Sequence, residues 1–307
     1  GMDTRDILAR FQAERQALAT MNHPNIASVL DAGATETGRP YFVMEYVDGR
    51  PITEFCDTHQ LTIQERLELM RTVCDAIQHA HQKGIIHRDL KPNNILVQLH
   101  DTKPMVKVID FGIQKSIDQR KPSDLSTTGL FQFVGTPLYM SPEQAAGIRE
   151  QIDTRTDVYS LGVILYELLT GRTPFDTETI QQASFENIRR AIIEQHPQIP
   201  SRRVVSDGSS SNTLTAIGTA RRVAGNRLRT EIQGELDWIT MKAMEKDPAR
   251  RYQSPGMLAL DLQRFLNNEA VTAGPPSELY RLSKMLRRNR WAVVSVLSLC
   301  FAMFLGT

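Results

Sequence analysis

Apolar residues recur at helical spacing in several long segments of the chain and form short runs elsewhere. An apolar residue at every third or fourth position predicts helices over 3–20, 61–82, 157–170, 178–194, 235–246 and 255–267. Short apolar runs between turn residues predict two strand hairpins, which pair 26–30 with 41–47 and 95–99 with 105–109. This order of elements predicts an α+β protein with a small sheet-containing lobe and a large helical lobe.

Two stretches have no such periodicity. Residues 113–136 are rich in Ser, Thr and Lys, which predicts a mobile loop. Residues 195–230 combine a serine cluster with many arginines, which predicts a flexible insertion. The arginines at 202–203 and within 221–229 are consistent with two alternatives, a solvated linker and a docking surface.

Composition and charge exclude some classes of function. The 307 residues carry a net charge of +1, which argues against a general nucleic-acid binder. The apolar content of 41% is ordinary for a chain that buries a core. The three cysteines have no metal-ligand spacing, and we interpret them as reduced thiols of a cytosolic domain.

The last part of the sequence is apolar. Residues 291–307 form a run of seventeen residues without a charge, slightly shorter than the roughly 20 that cross a bilayer as a helix. Basic residues precede the run, and such residues mark the cytoplasmic side of a span; they are Arg281, Lys284, Arg287, Arg288 and Arg290. We expect the start of a single membrane span with a cytoplasmic domain before it. A buried terminal helix is the alternative.

Polar residues with the chemistry of phosphoryl transfer surround the second predicted hairpin. Residues 85–97 read IIHRDLKPNNILV, and Asp110-Phe111-Gly112 follows. Phosphoryl transfer needs a group that orients the attacking hydroxyl and ligands for the magnesium ions that neutralise the triphosphate. Asp89 suits the first role, whereas Asn94 and Asp110 offer the hard oxygens that suit the second.

These residues resemble the catalytic loop H-R-D-x-K-x-x-N and the D-F-G metal loop of protein kinases. The resemblance covers roughly residues 1–270 and is strongest to bacterial transmembrane serine/threonine kinases of the PknB-like type. It implies a kinase fold whose truncated small lobe keeps helix αC and one hairpin. Segments 44–47, 135–143 and 157–162 are similar to the adenine-binding hinge, the end of the activation segment and the central helix of the large lobe.

The resemblance assigns a role to each site residue. Asp89 orients the substrate hydroxyl, Lys91 stabilises the γ-phosphate, and Asn94 with Asp110 binds Mg²⁺. The residues that it places around ATP are Glu14, Glu45, Val47 and Leu96. A helix-capping Asp89, an exposed Lys91 and a turn-forming Asp110 are the structural alternatives.

Other residues are implied to have structural or regulatory roles. Asp157 would hold the catalytic-loop backbone, and Arg251 would pair with Glu143. A stacked apolar column would contain Leu18, Leu30, His87 and Phe111, and we favour this packing role for His87 over acid–base chemistry. Arg88 would bind a phosphate on Thr127 or Thr128 of the activation loop. The alternative is a solvated loop that is rich in Ser and Thr and has no regulatory role.

The sequence departs from the family pattern before Glu14. That glutamate normally pins a strand lysine against the phosphates, yet the first lysine of this chain is Lys83 and no glycine-rich loop is present. We favour a kinase fragment truncated at both ends over a degraded pseudokinase. The expected parts are 1–47, the partial small lobe and hinge; 48–270, the large lobe; 271–290, a basic juxtamembrane segment; and 291–307, the start of the span.

The implied function is transfer of the ATP γ-phosphate to Ser/Thr hydroxyls of proteins, with dimerisation for autophosphorylation of the activation loop in trans. Weak or absent catalysis is expected for this polypeptide, because the phosphate-positioning lysine is missing. The alternatives are a pseudokinase scaffold that signals by binding partners and a small-molecule phosphotransferase. Segment 135–143 favours a protein substrate, because in the family it forms the platform for a peptide.

Overall fold

The computed structural model describes residues 21–36, 40–111, 137–175, 185–206, 211–275 and 277–288. The strands are β1 (Val29–Ala34), β2 (Pro40–Met44), β3 (Arg50–Pro51), β4 (Ile95–His100) and β5 (Lys103–Val108). The helices are α1 (Ile52–Thr58), α2 (Ile63–Gln82), α3 (Pro142–Ala146), α4 (Thr154–Thr170), α5 (Phe185–Glu194), α6 (Pro200–Ser206), α7 (Ser211–Thr219), α8 (Gly225–Ile232), α9 (Glu235–Ala243), α10 (Pro255–Leu266) and α11 (Glu278–Arg288). The predicted α+β class is confirmed.

The strands form two antiparallel sheets, β1–β2 and β3–β4–β5. The predicted β4–β5 hairpin is confirmed, and β4 alternates between the buried Ile95 and Val97 and the half-buried Leu96. The first hairpin starts later than predicted, at Val29, and Ile26 instead bridges to Val108 of β5.

The prediction that Leu30 belongs to a stacked apolar column was wrong. Its side chain is 67% exposed, so it does not belong to a buried column with His87 and Phe111. The pairing register of β1 with β2 shifts between Val29 and Asp31. Such an irregularity re-aims the side chain at the extra position, which here is Leu30.

The helical lobe is built around α2 and α4. Thr62 and Glu65 form a capping box at the start of α2, which satisfies two amide groups of its first turn. Helix α4 is buried on nearly all sides, which explains its continuous apolar sequence. It passes close to α9, since a Cβ atom added at Gly162 would lie 2.8 Å from the Cβ of Ala243.

The segment predicted to be a flexible insertion is folded where the structure describes it. It contains α6, α7 and most of α8, and the apolar side chains of Val204 and Leu228 are buried. Arg221 is only 1% exposed, so it belongs neither to a solvated linker nor to a docking surface. The prediction was wrong because buried arginines resemble surface arginines in a sequence.

Several short elements were not predicted, including β3, α1 and α3. Helix α11 lies within the segment expected to be a basic juxtamembrane stretch. In the part of the chain that is described, no helix is long and apolar enough to cross a membrane. The predicted helix 3–20, the predicted loop 113–136 and the predicted span 291–307 lie outside the described residues.

Candidate active site

The loop that carries Asp89 is held by a carboxylate from α4. The backbone amides of His87 and Arg88 each donate a 2.8 Å hydrogen bond to Asp157, and His81 Nε2 lies 2.7 Å from the same carboxylate. Asp157 is fully buried in the first turn of α4, where the partial positive charge of the helix N-terminus stabilises an anion. This is the contact that the kinase resemblance implied for Asp157.

Two residues of the site have a backbone conformation that is costly for residues other than glycine. Arg88 has a φ of 62° and Asp110 a φ of 55°. Such conformations persist when surrounding contacts fix them, and the Arg88 carbonyl accepts a 2.8 Å hydrogen bond from Gln144 Nε2. Together with the Asp157 bonds, this contact fixes both sides of the Arg88 peptide.

Asp89, Lys91 and Asn94 meet in one cluster. Lys91 Nζ lies 2.9 Å from Asp89 Oδ2. Asn94 Nδ2 donates to the Asp89 carbonyl at 2.8 Å and to Asp89 Oδ2 at 3.3 Å. Both bonds use the nitrogen end of the Asn94 amide, so its oxygen end is the one available to a cation.

Asp110 lies beside Asn94 along the backbone. The amide of Ile109 donates a 2.9 Å hydrogen bond to the Asn94 carbonyl, and Ile95 pairs with Val108 across the β4–β5 ladder. The catalytic loop and the segment that carries Asp110 are therefore joined at Asn94. Asp110 itself is exposed.

His87 packs as a neutral ring beneath this junction. Its ring lies 4.6 Å from the Phe111 ring, centroid to centroid. Its Nε2 lies 3.0 Å from the Ile109 carbonyl, and its Nδ1 lies 3.4 Å from the Asp89 amide nitrogen, a pattern that fits one neutral tautomer. Burial lowers the pKa of His87, which favours the packing role over acid–base chemistry.

The predicted adenine-binding segment follows β2. The Glu45 carboxylate pairs with Lys107 at 2.8 Å and accepts a 3.1 Å hydrogen bond from the Ser28 amide. The hydrogen bonds from Lys107, opposed only in part by burial, hold the pKa of Glu45 below its usual range. The Glu45 carboxylate is therefore engaged within the protein, and a base would meet the backbone of this residue instead of its side chain.

Val47 and Leu96 both lie close to Gly49, whose amide donates a 3.0 Å hydrogen bond to the Val47 carbonyl. Val47 is buried, and Leu96 is half-buried on the opposite face of β4 from Ile95. A Cβ atom at Gly49 would lie 3.1 Å from the Cβ of Leu96, so glycine lets the hinge approach that strand. The contact of Val47 and Leu96 with adenine stays a prediction.

A buried ion pair supports the start of α3. Arg251 makes two 2.8 Å bonds to the Glu143 carboxylate, which also accepts a 2.8 Å bond from the Thr156 hydroxyl. Burial alone would raise the pKa of Glu143, but the hydrogen bonds and charge of Arg251 hold that pKa below its usual range. The pair implied by the family resemblance is present.

Some predicted site residues are not described. Glu14, Thr127, Thr128 and Leu18 lie outside the described residues. The phosphate-binding role of Arg88 and the nucleotide-binding role of Glu14 therefore stay predictions.

Three supporting residues were missed by sequence reasoning. His81 reaches Asp157, Gln144 reaches Arg88, and Lys107 reaches Glu45. Their partners are 56 to 76 residues away in the chain, so no local spacing could reveal them. Only Gln144 carried a signal, since it lies three residues after Ser141 in the pattern of a capping box.

The polar side chains of the site fit a cation that takes its remaining ligands from phosphate groups. No group of three or more His, Cys, Asp or Glu side chains suited to a metal occurs among the described residues. Asn94 and Asp110 instead supply an amide oxygen and a carboxylate. Mg²⁺ is commonly bound by one or two carboxylates together with substrate phosphates, so this sparse set is compatible with it.

Comparison with known proteins agrees with the fold. Residues 2–259 match the protein kinase domain family, and the chain belongs to that family. Serine/threonine-protein kinase Pkn1 of Myxococcus xanthus is 46% identical over 83% of the chain, and serine/threonine-protein kinase PknB of Mycobacterium tuberculosis is 37% identical over 86% of it. The matched parts span 38% and 37% of the length of those two relatives.

Solved structures show the same fold. The kinase domain of Mycobacterium tuberculosis PknI has a TM-score of 0.54 at 24% identity, with 84% of this chain and 79% of that one covered. Rad53 1–466 in complex with AMP-PNP has a TM-score of 0.52 at 25% identity, with 81% and 53% covered. The kinase fold predicted from the motifs is confirmed.

Proposed function

We propose that the protein transfers the γ-phosphate of ATP to serine and threonine hydroxyls of protein substrates. The observation that carries this proposal is the cluster of Asp89, Lys91 and Asn94 on a loop fixed by Asp157. Serine/threonine kinases among the relatives support the choice of acceptor. They also support a protein substrate over the small-molecule alternative.

Each polar residue of the cluster has a defined task. Asp89 accepts or orients the proton of the attacking hydroxyl, and Lys91 supplies positive charge beside the transferred group. The oxygens of Asn94 and Asp110 would hold Mg²⁺, which neutralises charge on the phosphates when bound. The Asn94–Asp89 bonds orient the acid and the amide relative to each other.

A polypeptide of these 307 residues is expected to turn over slowly. It has no lysine before Lys83 to pair with Glu14, and this reaction depends largely on positioning. A pseudokinase scaffold remains the second candidate, because it would share the same fold without this lysine. The intact set Asp89, Asn94 and Asp110 favours the kinase.

We also propose that the chain is attached to a membrane, with its kinase domain in the cytoplasm. The uncharged run 291–307 and the basic residues before it support this proposal. Attachment would concentrate copies of the chain in two dimensions, which favours phosphorylation of one activation loop by another copy.

The cation-dependent step can be tested with Asp110→Asn. We expect its affinity for ATP in the presence of Mg²⁺ to fall at least about tenfold, and radiolabel transfer to a generic protein substrate to fall with it. Asp101→Asn is the matched control, because Asp101 is exposed in the β4–β5 turn and also has a positive φ. Equal Mg²⁺-dependent affinity in Asp110→Asn and the unchanged chain would contradict the proposed site.

A further inference from the structure

Helix α11 turns its apolar side away from the protein. Leu279, Leu282, Met285 and Leu286 are 78%, 51%, 58% and 44% exposed. Their spacing of three, four and seven residues places them on one side of the helix. We call these four side chains the α11 apolar face.

The opposite side of α11 is polar and docks on the helical lobe. The Tyr280 hydroxyl donates to Glu235 at 2.7 Å and accepts from the Val271 amide at 3.0 Å, while Lys284 Nζ lies 2.6 Å from Glu235. Tyr280 and Lys284 are four residues apart and therefore share one side. A surface helix usually has the reverse arrangement, with its apolar side toward the core.

The charge around this helix points to the occupant of the apolar face. From 278 to 290 the sequence has five basic residues and one acidic residue, Glu278. Lys284 is paired with Glu235, which leaves four arginines to act on lipid. The uncharged run 291–307 follows directly. Basic amphipathic helices lie in the interface of bilayers, and anionic lipids attract basic segments next to a membrane.

A second copy of the chain fits this face less well. A stable protein interface buries about 800 Å² on each partner. Four side chains on a helix of 11 residues offer a smaller apolar area than that. Lipid requires no such area, because it surrounds whatever apolar surface is offered.

We propose that α11 lies flat in the headgroup layer of an anionic bilayer with its apolar face inserted into the lipid. The proposal rests on the membrane attachment proposed above and goes beyond it. The Glu235 clamp holds α11 to the lobe, so insertion would turn the side formed by α9 and the end of α10 toward the membrane. The kinase domain would then have a fixed orientation relative to the membrane, which a flexible linker would not give it.

The test measures lipid contact at a single position of the 307-residue chain. Cys300 is replaced by alanine, and a nitroxide label is attached to Leu282→Cys in the presence of anionic vesicles of phosphatidylserine and phosphatidylcholine. Burial raises the pKa of the Cys56 thiol to about 12 and also raises that of Cys74, so neither competes for the label. Leu260→Cys on α10 is the matched control, at 50% exposure against 51% for Leu282.

We expect the label at 282 to become accessible to oxygen and shielded from a water-soluble nickel reagent when vesicles are added. Its depth should be about 5–10 Å below the headgroup boundary, whereas the label at 260 should stay in water. Each variant must melt at the temperature of the Cys300→Ala parent, which shows that its fold is unchanged.

The outcomes separate the two proposals. If the chain floats with vesicles while the label at 282 remains in water, attachment holds and the inserted helix is overturned. If spin–spin broadening shows labels from two chains in contact, with or without lipid, the occupant is a second copy and the lipid proposal is overturned. A chain that does not float overturns both attachment and insertion, without touching the kinase proposal.

Discussion

Glu143 and Arg251 form a fully buried ion pair, with side-chain exposures of 2% and 0%. The cost of burying two charges offsets much of their attraction, so such a pair adds little net stability over well-packed apolar side chains. Replacing only one residue of the pair is strongly destabilising, because the other charge is then left buried without its partner. The pair therefore fixes the position of α3 relative to the α9–α10 connection.

We predict that Arg251→Met lowers the free energy of unfolding by about 3–5 kcal/mol. The double variant Arg251→Met, Glu143→Leu should recover part of this loss, because no lone charge remains buried. Urea unfolding monitored by circular dichroism measures both values. The exposed Arg250→Met serves as control, and an unchanged midpoint for Arg251→Met would contradict the prediction.

The same pair predicts a pH dependence. The pKa of Glu143 is lower in the folded state than its ordinary value of 4.5. The stabilisation is therefore complete above pH 4.5 and is lost as the pH falls through the folded-state pKa. Unfolding measurements below pH 5 should show a shallower slope for Glu143→Gln than for the unchanged chain.

Site residues could be predicted from the sequence where they belong to one contiguous motif. Asp89, Lys91 and Asn94 lie within six residues of one another, so the motif could be recognised without knowledge of the fold. His81 and Lys107 were missed, because their importance comes from partners 76 and 62 residues away. Glu45 was found as a hinge residue, but its ion pair could not be predicted.

Helices were predictable where they are long and amphipathic. The prediction over 61–82 matches α2, and that over 157–170 matches most of α4, which ends at Gly171 in the left-handed conformation. Helices α6, α7 and α8 have 7 to 9 residues, too few for a clear period. The arginines of this segment also suggested a solvated linker, although Arg221, between α7 and α8, is buried and donates to carbonyls at the end of α4.

We predict that Arg221→Met loosens the end of α4. The Arg221 guanidinium donates to the carbonyls of Leu168, Leu169, Glu167 and Ile217. The Leu168 and Glu167 carbonyls keep a second donor, in the Arg66 guanidinium and the Gly171 amide. Hydrogen bonds from a charged group contribute about 1.5–3 kcal/mol each, so loss of the bonds to the other two carbonyls should cost at least about 2 kcal/mol. Thermal unfolding should show this loss for Arg221→Met and no change for the exposed Arg227→Met.

Arg221→Lys distinguishes geometry from charge. Lysine keeps the positive charge near the C-terminal end of α4 but lacks the planar fork that reaches several carbonyls. It should therefore recover only part of the stability lost in Arg221→Met. Full recovery would mean that charge alone stabilises the helix end.

The molecule as a whole joins a well-buried helical lobe to a thin sheet region. The β1–β2 hairpin has exposed Leu30, Tyr41 and Val43, and a pair of strands alone is marginally stable in water. In contrast, β4 and β5 pack on the helical lobe through the buried Ile95, Val97 and Val106. The two sheets should therefore differ in local stability.

We predict that amides of β1 and β2 exchange with deuterium much faster than those of β4 and β5. Regions with few buried apolar contacts open with lower free energy than the core. Hydrogen–deuterium exchange with mass spectrometry measures the difference, and α2 provides a core reference. Equal protection in both hairpins would show that the first is as firmly held as the second.

The Asp157 bonds also bear on how the chain acquires its shape during synthesis. The His87 and Arg88 amides precede their acceptor by 70 and 69 residues, and a ribosome makes roughly 5–20 residues each second. For several seconds the nascent loop therefore exists without the carboxylate that shapes it. A premature stop between the two segments would release a product that has every motif residue of the loop but cannot hold them in place.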